Sequence, residues 1–71
     1  MKIFEIAPRG GYKGGCMIVN ANNENEAWDL AMKENRLLEW EDKTDYRIQE
    51  ILGLTYAVDE PCVIVSALYF E

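Results

Sequence analysis

Two stretches of this sequence concentrate side chains that could hold a charged ligand. The first is Arg9-Gly10-Gly11-Tyr12-Lys13-Gly14-Gly15. Backbone N–H groups in a glycine-rich turn, two cations and a phenol ring could together hold a phosphate or a carboxylate, with Tyr12 as a stacking surface. No acid falls between Glu5 and Glu24, so residues 6–23 carry only Arg9 and Lys13 as charges. The rest of the chain sets five bases against 13 acids. Phosphate loops of the GxxxxGK[ST] type, and the dinucleotide fingerprint, place their glycines ahead of a helix. Here the glycines lead into the β-branched run Cys16-Met17-Ile18-Val19, so neither pattern fits. The competing reading is a hairpin tip with solvated charges.

The second stretch is acidic. Residues 24–45 hold Glu24, Glu26, Asp29, Glu34, Glu39, Glu41, Asp42 and Asp45 against Lys33, Arg36 and Lys43. Carboxylates along an exposed helix and its following loop can imitate a phosphate backbone and occupy a basic groove. They can also be an ordinary solvated face that keeps a small domain soluble. Glu39, Trp40, Glu41 and Asp42 form the candidate partner-binding set, because aromatic residues dominate interface energetics and Trp40 sits between acids. Trp28 is expected in the core, beside Leu30 and Met32.

The composition excludes several chemistries. There is no histidine, and Cys16 and Cys62 are the only cysteines, which is too few ligands for a Cys/His zinc site. Histidine-based nucleophilic triads are excluded for the same reason. Asp59-Glu60 and Glu41-Asp42 are paired in sequence, but neighbours on a strand face opposite ways, and 71 residues offer little scaffold to bury a carboxyl. No enzymatic activity and no cofactor are expected. A net charge of -6 removes a basic nucleic-acid footprint. The apolar run at residues 62–70 is too short to span a bilayer. Residues 1–5 carry no apolar leader, so the expected setting is cytoplasmic, with both thiols reduced.

The elements that must position these groups follow from the apolar pattern. Ile3, Phe4 and Ile6 mark a first strand that Pro8 stops, and residues 16–19 a second, joined as a β-hairpin. Asn23 with Glu26 three residues later approximates a capping box, opening a helix whose stripe is Ala27, Leu30 and Ala31. Asn35 is expected to close that helix in the left-handed conformation. A third strand is expected at residues 46–52, although that segment also tolerates a helix, and Gly53 punctuates it. Residues 62–70 read as a central strand covered on both faces, with Val63, Val65, Ala67 and Tyr69 on one and Cys62, Ile64, Leu68 and Phe70 on the other. The result is one α+β domain, ββαββ, with a four-stranded antiparallel sheet and one helix on one face.

One helix covers one face. The other must be covered by the 54–58 connection folding back, by a second subunit or by a partner. A homodimer is expected, because a domain of this size has a marginal core.

Gly10-Gly11-Tyr12-Lys13-Gly14-Gly15, Ala21-Asn22-Asn23 opening the helix, and Asp59-Glu60-Pro61 ahead of the last strand resemble small acidic proteins of phages and other mobile elements. That resemblance implies stoichiometric action, by occupying a host defence component or sequestering its signal. Two functions follow. One is a non-enzymatic inhibitor or adaptor that docks its acidic face on a basic partner protein. The other is a binder of a phosphorylated small ligand at Arg9, Lys13 and the loop amides.

Overall fold

A computed structural model describes residues 1–10 and 13–70. Gly11 and Tyr12 of the glycine-rich stretch therefore lie outside the described residues. Strand β1 (Lys2–Pro8) turns Phe4 and Ile6 to one side, and β3 (Met17–Ala21) turns Met17, Val19 and Ala21 to the same side. The two pair antiparallel, with Phe4 opposite Val19 and Ile6 opposite Met17, which makes the expected hairpin. Between them lies β2 (Lys13–Gly14).

Helix α1 (Glu24–Glu34) lays Ala27, Trp28 and Ala31 on this apolar face. Its start is the expected cap. The Asn23 side chain accepts from the Glu26 N–H at 2.9 Å, while the Glu26 carboxylate accepts from the Asn22 N–H at 2.8 Å. Its end differs from the expectation. Asn35 is extended (φ -124°, ψ 99°) rather than left-handed. Its side-chain oxygen accepts from the Leu37 N–H at 3.2 Å, so Asn35 starts a new turn as it closes the old one, and a cap at a helix start requires extended backbone.

Two 3₁₀ turns, Arg36–Trp40 and Lys43–Asp45, lead into β4 (Tyr46–Glu50), which realises the expected third strand. After the connection of residues 51–61 come β5 (Cys62–Ser66) and β6 (Tyr69–Phe70). The main sheet runs β4-β1-β3-β5, every pair antiparallel, and β2 pairs with β6. This is the α+β architecture of four antiparallel strands and one helix.

The run at residues 62–70 is corrected in position and in facing. It lies at an edge of the sheet, not at its centre, and it is interrupted. Val63 stands opposite Val19 and Val65 opposite Ile18, leaving Ile64 as the extra residue of a β-bulge. A bulge reverses the alternation beyond it. Val63, Leu68 and Phe70 therefore pack toward the core, whereas Val65 and Tyr69 are exposed. Continuous apolarity here records a strand that changes its facing, not one buried on both sides.

The pairing resumes in the same register beyond the interruption, with Gly14 opposite Tyr69 and Lys13 opposite Phe70. The second glycine pair is thus a bent continuation of β3 and not a turn. Gly15 makes the bend. Its φ is +78°, and a Cβ there would meet the Ala67 carbonyl oxygen. Cys16 and Cys62 sit at opposite ends of the β3–β5 ladder, and both are free thiols.

The second sheet face is covered at one end by the 51–61 connection. Asn20, buried on that face, donates from its amide to the Val58 carbonyl at 3.1 Å and the Glu60 carbonyl at 3.0 Å. Ile3, its register partner, is buried there as well. The other end carries Glu5 and Arg47, 3.5 Å apart as an ion pair.

Candidate binding surface at the 3₁₀ turns

The acidic candidates sit on the paired 3₁₀ turns. In the first, Leu38 is fully buried and anchors the turn to the core. In a 3₁₀ helix, residues three apart lie above one another. Leu37 and Trp40 therefore share the outward side, 56% and 87% exposed. Glu39, also exposed, pairs with the Arg36 guanidinium at 3.1 Å.

Glu41 closes this turn, its N–H donating to the Leu38 carbonyl at 3.1 Å. Its carboxylate accepts from the Lys13 ammonium at 2.6 Å and the Tyr46 hydroxyl at 3.0 Å. Lys13 also lies 5.0 Å from the centre of the Tyr46 ring, and Trp28 packs on Tyr46 with centroids 5.2 Å apart. The hydrogen bonds from Lys13 and Tyr46 hold the Glu41 carboxyl below the usual glutamate range. Burial, reinforced by the hydrogen bond to Glu41, pushes the Tyr46 phenol well above its ordinary range.

Asp42 caps the second turn. It accepts from the Thr44 N–H at 2.9 Å and the Thr44 hydroxyl at 2.8 Å, bonds that lower its pKa. Lys43 ties the same turn to α1 through the Asn25 side chain at 2.7 Å. Of the four acidic-site residues, Glu41 and Asp42 thus have duties inside the fold. Trp40, with Leu37 beneath it, is left facing solvent.

The glycine-rich candidates divide. Arg9 and Gly10 are exposed, and the Arg9 N–H donates to the Asp45 carbonyl at 2.9 Å. Lys13 belongs to the Glu41 pair, so an anion at this end of the sheet competes with Glu41 for it. Gly14 lies under the Tyr69 phenol, where a Cβ would overlap the ring, and Gly15 is the bend described above. Structure therefore brings Lys13 and Glu41, members of two separate candidate sites, into one contact. An open depression of about 400 Å3 runs along β4 and β1, lined by Glu5, Gln49, Glu50, Ile51 and Leu52. Two carboxylates make it a poor seat for phosphate.

The chain matches no family model, no curated protein and no solved structure. A carboxyl acting as general acid near neutral pH needs a raised pKa. Glu41 and Asp42 move the other way and are fully ionised. Among the described residues, no group of three or more His, Cys, Asp or Glu side chains could hold a metal ion, and no helix is long and apolar enough to cross a membrane. The arrangement can do one thing well, which is to present an apolar pair rimmed by ionised carboxylates. Leu37 is the member that reading the sequence missed. Its signal was the three-residue spacing to Trp40, hidden because Leu37-Leu38 reads as one apolar pair.

Proposed function

We propose that the protein is a non-enzymatic binding module that works by occupancy, docking Trp40 and Leu37 on a partner protein whose surface is basic. The observation that supports this reading is the exposure of Trp40 on a turn held from both sides. Leu38 anchors it below, and Glu41 fixes its exit through Lys13 and Tyr46. An exposed tryptophan on a loose loop must be ordered on binding, at a cost of about 0.5–1.5 kcal/mol per immobilised side chain; here much of that ordering is built in. Glu39 and Asp42 form the acidic rim, which selects a basic partner and speeds encounter. Such a protein acts as a stoichiometric inhibitor or adaptor.

The test is a capture experiment from the protein's own host. It compares wild type, Trp40→Ala, and Glu39→Lys with Asp42→Lys. Proteins retained by wild type at low salt, released at high salt and lost with both variants are the expected result. Because a central aromatic anchor contributes about 2 kcal/mol or more, affinity for such a partner should fall at least ~30-fold in Trp40→Ala. Equal retention by wild type and Trp40→Ala overturns the proposal. Calorimetry with a panel of cyclic and linear nucleotides checks the small-ligand alternative, since binding abolished by Arg9→Ala would move the function to the glycine-rich stretch.

A further inference from the structure

The main sheet ends in two unlike edges. At β5 the edge is interrupted by the bulge at Ile64, a device that keeps strands from adding to an edge. At β4 no such device is present. Tyr46-Arg47-Ile48-Gln49-Glu50 is regular through all five residues, with no bulge, proline or lysine. Helix α1 packs mainly on β3, β5 and β1 and reaches β4 at that strand's first residue, where Trp28 covers Tyr46, and Ile48 is left half-buried at the margin of the core.

The hydrogen-bonding direction of β4 is fixed at its ends. Asp45 accepts from the Arg9 N–H, and Ile51 donates to the Ile3 carbonyl at 2.8 Å. Antiparallel bonding alternates along a strand, so Arg47 and Gln49 also turn their backbone groups toward β1. Tyr46, Ile48 and Glu50 turn theirs outward. The Tyr46 N–H is taken by the Lys43 carbonyl at the end of the second 3₁₀ turn, so the row displayed is the N–H groups of Ile48 and Glu50 with the C=O groups of all three residues.

We infer that this row is a self-pairing edge, and that two copies of the chain join their β4 strands antiparallel about a two-fold axis at Ile48, fusing two four-stranded sheets into one of eight. The sequence is complementary to itself in that register. Ile48 meets Ile48 of the partner subunit over the core side, closing the apolar margin that α1 leaves open. Tyr46 meets the partner's Glu50, and Arg47 meets the partner's Gln49, so no like charges stand opposite each other. The edge holds one base and one acid, and is neutral on a chain of net charge -6. An isologous contact of this kind closes at two copies.

Sedimentation equilibrium of the full chain tests the inference, run at low and high salt. The expected result is a monomer–dimer equilibrium that tightens with salt, because repulsion between two acidic bodies is screened within about 8 Å at physiological ionic strength. Docking on a basic partner weakens with salt, so the two associations are distinguishable. Ile48→Pro removes an N–H that turns away from β1 and has no partner among the described residues, and should weaken the dimer at least tenfold while near-ultraviolet circular dichroism shows the fold intact. If that variant does not fold, crosslinking decides. In a Cys16→Ser, Cys62→Ser background, Ile48→Cys should oxidise to a covalent dimer, since opposed residues of a hydrogen-bonded pair lie about 5.5 Å apart at Cα. Arg47→Cys, which faces Gln49 rather than itself, should not. A wild type that stays monomeric at all concentrations, a dimer that survives Ile48→Pro, or equal crosslinking of the two cysteine variants overturns the inference.

Discussion

Two regions of this molecule expose apolar side chains, and they are held in opposite ways. At the 3₁₀ corner, Leu37 and Trp40 stand on backbone fixed by the buried Leu38, by two side-chain caps and by the Lys13–Glu41–Tyr46 contact. In the 51–61 connection, Leu52, Leu54, Tyr56 and Val58 are also exposed. That segment is irregular, with a turn at residues 52–53 and bends beyond it, and the Asn20 amide provides its described side-chain tie to the sheet. Exposure alone therefore does not mark a site. What separates the two is how much order exists before anything binds, and only the corner supplies a preformed shape.

The sharpest way to break this contrast is to remove the anchor. Leu38→Ala should destabilise the fold by about 2–5 kcal/mol through the cavity it leaves, measured by urea unfolding, and should loosen the corner. Gly15→Ala should come next. It combines a φ of +78° with a side chain driven against the Ala67 carbonyl, and should cost well over about 1 kcal/mol in the same assay. Asn20→Ala acts on the other region. Losing its two hydrogen bonds to the connection should cost about 1–2 kcal/mol and raise hydrogen exchange in residues 51–61, leaving the corner's amides unchanged.

Acid titration sharpens the contrast by direction. Glu41 has a depressed folded-state pKa, so its contribution is present above the unfolded glutamate pKa of about 4.3 and is lost as pH falls through the lower folded value. The corner should loosen in that window, seen as changed near-ultraviolet signal from Trp28 and Tyr46. Tyr46 runs opposite: its raised pKa stabilises the fold below about 10, and that contribution is lost as alkali ionises the phenol. The smallest effect is expected at Trp40. Trp40→Ala should change stability by no more than about 0.5 kcal/mol, because the side chain is exposed. A large loss there would mean that the ring is structural, and would remove the distinction between the two regions.

The α+β class, the four antiparallel strands and the local features of this fold were legible in the sequence, whereas the strand order and particular long-range contacts were not. The first hairpin, the Asn23–Glu26 cap and the third strand depend on residues close in the chain, and each formed as expected. Trp28 also took its expected place in the core. Asn35 misled because its side chain had two possible duties, and the next turn claimed it. The run at residues 62–70 misled because hydrophobicity does not reveal a bulge. The Lys13–Glu41 contact was invisible for a different reason. It joins two segments far apart in sequence, and its partners were each easier to read as free surface charge.

The two tryptophans make the molecule its own optical instrument. Trp28 sits in an apolar setting against Tyr46, whose ring is close enough to pass excitation to it. Trp40 emits from water, at longer wavelength and open to collisional quenchers. The neighbouring carboxylates Glu39 and Asp42 should repel iodide while leaving uncharged acrylamide unhindered. Unfolding will redden the blue component, and docking will blue-shift the red one. Collapse of the core and occupation of the corner can thus be followed separately, in one cuvette, without a label.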